Sequence, residues 1–176
     1  MDHVVAACGV GKGTLYRYFP SKQELYLAVM FDGIAHLRRE LEAAVATDEA
    51  PARKIRHIVE RTLAYFWDRR FFFALIHRNE HKPDGEAREW VRHRAALARV
   101  VQETVEGAMA AGHVRRVNAR IATEMLLGLM RGVNRYRAED DRFEDLVTAV
   151  VDVFMCGIGT PAGRRIAAAP RRRARA

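Results

Sequence analysis

The chain has only two cysteines, five prolines and no long apolar run, and each shortage excludes a class. Cys8 and Cys156 lie at opposite ends of the sequence and cannot form a disulfide framework, and no basic segment leads into an apolar stretch and a small-residue cleavage site. A reducing, cytoplasmic setting is expected. Few prolines, 12 glycines and 49% apolar residues argue against a collagenous or disordered chain. The most apolar stretch, Leu146 to Ile158, is short and contains Asp152, so it reads as a buried helix and no membrane partner is expected. What remains is a globular protein of 176 residues, long enough to bury a substantial core.

The formal charge of +8 suggests a nucleic-acid binder until it is located. Arg164, Arg165, Arg171, Arg172, Arg173 and Arg175 carry six of those charges with no acidic residue after Asp152, which leaves +2 for residues 1–163. The basicity belongs mainly to a tail. There it can add salt-sensitive phosphate binding or simply be solvated.

Apolar residues recur at spacings of three and four, not two, which predicts an all-α fold. A short helix over Asp2–Cys8 stops at Gly9, and a second follows over Lys12–Phe19. A third begins at Ser21, where Ser21-Lys22-Gln23-Glu24 forms a capping box, and runs on Leu25, Val29, Ile34, Leu37 and Leu41 to Val45. Pro51 suits the first turn of a fourth helix reaching Phe66. A short aromatic helix then holds Phe71 to Ile76 before Pro83-Asp84-Gly85. Further stripes predict helices over Glu86–Ala111, from the cap Asn118 through Met130, and over Arg142–Cys156 with Gly157 as the stop. The domains expected are 1–45, a helix-turn-helix and linking helix; 46–159, a helical ligand-binding and dimerisation unit; and 160–176, a disordered Arg-rich tail.

Two short helices joined by a tight Gly-containing turn describe a helix-turn-helix, whose second helix fits the DNA major groove. Lys12 and Thr14 lie near its N-terminus, where side chains reach base edges, and Tyr16, Arg17, Tyr18 and Lys22 suit phosphates, while Val10, Leu15 and Phe19 face a small core. Gly9-Val10-Gly11-Lys12-Gly13-Thr14-Leu15-Tyr16-Arg17-Tyr18-Phe19, with Ser21-Lys22 and Leu25, resembles the DNA-binding signature of TetR-type transcriptional regulators over more than twenty consecutive positions. The rest of the chain resembles the family only in the number and lengths of its helices. The resemblance implies a homodimer that binds a palindromic operator, usually as a repressor, and releases it when a small molecule enters the C-terminal domain. It assigns base reading to Lys12 and Thr14, phosphate contacts to Tyr16 and Lys22, and a close backbone approach to DNA to Gly13. Cys8 stands where the family more often has Ala. The family pattern also carries a further helix and arm before this motif, so a segment of roughly 20 to 30 residues is expected to be missing from the front. Without it the DNA-binding half should be loosened and operator affinity weak. That makes a non-DNA-binding sensor the alternative reading.

The resemblance also implies an effector cavity, and an aromatic cluster marks where it would lie. Tyr65, Phe66, Phe72, Phe73, Trp90, Leu97, Met125 and Leu129 are the expected lining, with His77 and His93 as polar groups, although plain core packing competes at each position. An apolar or aromatic effector follows. Ile121, Met125, Leu126, Leu146, Val150, Val153 and Phe154 on the last two helices are expected to pair with a second copy, because a palindromic site requires a dimer. One enzyme-like pattern remains. His77-Arg78-Asn79-Glu80-His81 fits the H-x-x-E-H spacing of zinc hydrolases, but Pro83 ends the helix just beyond it, so a core His77 and a solvated His81 are preferred. No metal, cofactor or catalytic residue is expected.

Overall fold

The computed structural model describes residues 1–70, 72–73 and 86–168. Among them the chain forms eight α-helices: α1 (Asp2–Cys8), α2 (Lys12–Tyr18), α3 (Lys22–Val45), α4 (Pro51–Trp67), α5 (Glu86–Ala110), α6 (Ala119–Tyr136), α7 (Phe143–Ile158) and α8 (Pro161–Ala168). The described residues contain no strand beyond one isolated bridge between Val114 and Gly159, so the fold is all-α. None of the described helices is long and apolar enough to cross a membrane.

The helix ends follow from local chemistry. Gly9 closes α1 at φ 65°, a left-handed conformation that costs glycine little, and its N–H reaches the Val5 carbonyl at 3.1 Å. Ser21 Oγ accepts the Glu24 N–H at 3.1 Å to start α3. Asn118 Oδ1 accepts the Ile121 N–H at 3.1 Å to start α6. Pro51 occupies the first turn of α4, where a missing N–H costs nothing.

Helix α4 is the hub, packing against α3, α5, α6, α7 and α8. Nine of its 17 residues are buried, which fits a helix surrounded on most sides. The same core takes Met30, Ile34, Leu37 and Leu41 from α3, Val101 and Val105 from α5, Leu126 and Met130 from α6, and Val150, Val151 and Phe154 from α7. The second half of α3 is therefore part of the bundle. By contrast α1 buries no residue, and α2 buries only Leu15. Val10, expected in a small core, is exposed, as are Val4 and Val29.

Two expectations near the C-terminus fail for physical reasons. Gly157 does not stop α7, which runs to Ile158 and ends at Gly159 with an ordinary φ of −73°. Glycine is needed at 159 because a Cβ there would overlap the Met155 carbonyl, while Arg115 N–H bonds the Ile158 carbonyl at 2.7 Å and draws the chain out of the helix. The segment after Thr160, expected to be disordered, instead forms α8. Thr160 Oγ accepts the Gly163 N–H at 3.2 Å and donates to the Gly112 carbonyl at 2.6 Å, Gly163 lies so close to the His113 carbonyl that a Cβ would overlap it, and Ile166 packs on the core. One capped turn and two inward positions three residues apart suffice, and such a helix leaves no long apolar period in the sequence. Residues 169–176 lie outside the described chain.

Candidate nucleic-acid interface and effector cavity

Helix α2 buries Leu15 and exposes Lys12, Gly13, Thr14, Tyr16, Arg17 and Tyr18, and Lys22 is exposed at the start of α3. All seven residues expected to meet DNA thus lie on the surface of one short helix and the turn after it. Tyr18 is 68% exposed, and the Arg17 guanidinium lies 5.2 Å from its ring centroid. Gly13 is open on its Cβ side, leaving room for close approach to the backbone. Lys12 Nζ makes an ion pair of 2.7 Å with Asp2 on α1. That bond raises the lysine's pKa and lowers the aspartate's. Any base contact by Lys12 must first release it.

The bundle contains a cavity of about 100 Å³ between α3, α4, α5 and α6. Phe66, Phe73, Trp90 and Leu97, expected as lining, do line it. The other expected residues lie elsewhere. Tyr65 is buried, but its hydroxyl donates to the Gly33 carbonyl at 2.9 Å and its ring packs edge-on to Phe66, so it braces the wall from behind. Phe72 packs on Phe66 and against the bare backbone of Gly33, where a Cβ would overlap its ring. His93 stacks on Phe31 with centroids 5.0 Å apart. Met125 is 58% exposed and Leu129 half-buried, and neither lines the cavity. Leu126 and Met130 carry the inward face of α6, so the residue just before each is rotated by about 100° away from it. His77, with Glu80 and His81, lies outside the described residues; among the described ones no group of three His, Cys, Asp or Glu side chains is placed to hold a metal.

Sequence reasoning missed most of the wall: Ile34, Leu37, Thr62, Arg94, Leu127, Arg131 and Asn134. The signal was present, because Trp90, Arg94 and Leu97 on α5, and Leu127, Met130, Arg131 and Asn134 on α6, recur at helical spacing. Arg94 donates to both carboxylate oxygens of Glu124 on α6, one bond being 3.0 Å. That pair, with Arg131 and Arg120 nearby, lowers the Glu124 pKa despite partial burial. A larger cleft of about 510 Å³ lies between the end of α3, the start of α4 and α5. Its wall includes Arg38, Glu42, Lys54, Arg99 and Glu103, charges of both signs and a poor match to an apolar effector.

The predicted partner surface is divided. Ile121, Met125 and Val153 are exposed at 48%, 58% and 59%, and Leu146 is half-buried. Leu126, Val150 and Phe154 belong to the chain's own core and cannot also face a second copy. The apolar stripe of each helix is wider than the face it buries, and the sequence does not say which edge stays outside.

Residues 1–29 match the family model of the bacterial regulatory proteins of the tetR family, and residues 48–139 match the tetracyclin repressor-like C-terminal domain. No curated protein matches the chain by sequence. Among solved structures, a candidate fatty acid metabolism regulator of Clostridium perfringens superposes with a TM-score of 0.79 at 17% identity, covering 90% of this chain and 88% of that one. A tetR-family regulatory protein of Rhodococcus RHA1 gives 0.76 at 16% identity over 90% and 85%. AibR, solved with isovaleryl coenzyme A and operator DNA, gives 0.71 at 17% identity over 86% and 84%. These three show the fold. The second family model spans more than half of the sequence, and the exposed chemistry of α2 falls within the first; the chain belongs to the TetR family of bacterial regulatory proteins.

Proposed function

We propose that the protein is a ligand-responsive DNA-binding regulator of transcription, acting as a homodimeric repressor on a palindromic operator and released by a small hydrophobic effector. The observation that carries the reading is helix α3. Its cap, Ser21, stands three residues after the end of α2, while Ile34 and Leu37 in its middle line the cavity. An effector that shifts these two side chains tilts a rod whose far end, roughly 20–24 Å away, carries the recognition helix. The Phe72 ring on Gly33 adds a second point of leverage. The coupling requires an effector that favours one spacing of the two recognition helices over the other.

In this reading residues 1–45 hold the operator and residues 46–159 the effector and the partner. Lys12 and Thr14 read bases, Gly13 allows close approach, and Tyr16, Arg17, Tyr18 and Lys22 hold phosphates. Ile121, Met125 and Val153, with Leu146 at the edge, meet the second copy across a two-fold axis. AibR, with its acyl thioester and operator, is a relative in which both kinds of ligand are present.

The test is fluorescence anisotropy with DNA flanking the protein's own gene against scrambled DNA, on this chain and on a form carrying one more N-terminal helix. Preference for the flanking DNA supports the reading. Tyr16→Ala should then weaken binding to all sequences, and Lys12→Ala should change which site is preferred. No preference in either form overturns operator binding and leaves a ligand-sensing module.

A further inference from the structure

We infer that Asp2 is a specificity-determining residue of the DNA-binding surface: by holding Lys12 it keeps that lysine from sequence-independent phosphate contacts and releases it only to a base edge that binds it better than the carboxylate does. The inference rests on the operator reading above and names the residue that tunes it.

Asp2 is the only acidic residue in positions 1–23, against the basic Lys12, Arg17 and Lys22. It opens α1, and its Oδ1 lies 2.7 Å from Lys12 Nζ at the start of α2. The two side chains are 77% and 62% exposed, and an ion pair so open to water adds little to stability. Its effect lies in the charge that the surface shows to DNA. Arg17 leans over the Tyr18 ring, 5.2 Å from its centroid, and Lys22 has no carboxylate partner among the described residues. Two of the three cations therefore face solvent uncompensated, and the third is neutralised by the one acid within reach.

An unpaired lysine on such a face neutralises a phosphate at any sequence and releases a counterion, which adds affinity without discrimination. The pair of Lys12 and Asp2 is neutral as a whole. Moving Nζ to a phosphate exchanges one charge-assisted bond for another of the same kind and leaves a bare carboxylate beside a polyanion. A base edge changes the balance, because guanine presents two acceptors, O6 and N7, together in the major groove. Lys12 opens α2, the part of a recognition helix that reaches base edges. It leaves Asp2 at a matching base pair and stays with it elsewhere. Because Asp2 belongs to α1, the restraint acts from outside the recognition helix and can be removed without altering a base-reading side chain.

The experiment is fluorescence anisotropy of the whole chain on scrambled DNA and on DNA flanking its own gene, from about 50 to 200 mM salt. Asp2→Asn should tighten binding to scrambled DNA on the order of tenfold at the low-salt end and steepen the slope of log affinity against log salt by about 0.9, as one more neutralised phosphate requires. Binding to the flanking DNA should tighten less, because Lys12 already makes its contact there, so the preference falls several-fold. Glu139→Gln makes the same change of charge at an exposed site between α6 and α7 and should leave the slope as it was. So should Asp2→Asn in a Lys12→Ala background, where no lysine is there to release. Asp2→Glu keeps the carboxylate and should keep the parent slope; a steeper slope in that variant, which retains the charge at the start of α1, counts against the inference. An unaltered slope in Asp2→Asn, an equal change in Glu139→Gln, or the same change without Lys12 also overturns it while DNA binding stands. If neither DNA binds at the lowest salt, the operator reading falls and the inference with it.

Discussion

In α1 and α2 a single side chain, Leu15, is buried, whereas α4 alone buries nine of its 17 residues. The front of the molecule is held by short-range devices: a left-handed glycine, a serine cap, and one exposed ion pair between Asp2 and Lys12. The bundle is held by side chains that meet across long stretches of sequence. On the proposed function, a surface that meets DNA leaves its polar groups unburied, and a cavity that takes an effector is walled by a core. The two regions therefore differ in stability because they differ in what they present, and substitutions can measure the difference.

The largest effect is expected in the bundle. Leu126 is fully buried, so Leu126→Ala should cost about 2–5 kcal/mol in chemical denaturation. Leu15→Ala, in the sparsely packed front, should cost less than half of that; equal losses would break the comparison. Gly33→Ala comes next. Its Cβ would overlap the Phe72 ring, and forcing that ring away should cost about 1–3 kcal/mol in thermal denaturation. It should also alter ligand affinity, because Phe72 packs on Phe66 of the cavity wall.

Ser21→Ala removes the cap accepted from Glu24 N–H and should cost about 1 kcal/mol. Its signature is local: faster amide exchange in the first turn of α3 and in α2, with the bundle unchanged. The smallest effect is electrostatic. Arg94 lowers the Glu124 pKa below its ordinary 4.5, so the pair's stabilisation is fully present above that value and is lost as pH falls through the lowered one. The pair is about a third exposed, so solvent screening limits the loss to under about 1 kcal/mol. Glu124→Gln should flatten this part of the stability profile on the acid side of the carboxylate's ordinary pKa.

How legible each part was follows the same division. Gly9, Ser21, Asn118 and Pro51 could be placed as caps and stops because their chemistry acts within one turn. The exposed residues of α2 could be named for the same reason. The cavity was partly legible: Phe66, Phe73, Trp90 and Leu97 carry an aromatic or apolar signal, whereas nothing in the sequence marks Arg94, Arg131 and Asn134 as facing a cavity until the helices are assembled. Leu126, Val150 and Phe154 were assigned to a partner, but they fill the chain's own core. Helix α8 was missed because its anchors, the Gly112 and His113 carbonyls, lie some fifty positions upstream.

By itself the sequence determined the helical class, the boundaries of most helices, and the motif that marks the family, since periodicity, caps and turns are local properties of the chain. Tertiary structure decided which edge of each apolar stripe faces inward, where α7 ends, and that two arginines and a threonine turn toward an apolar cavity. Those choices depend on the rotation of one helix against another, a relation between residues far apart in sequence that no local pattern encodes.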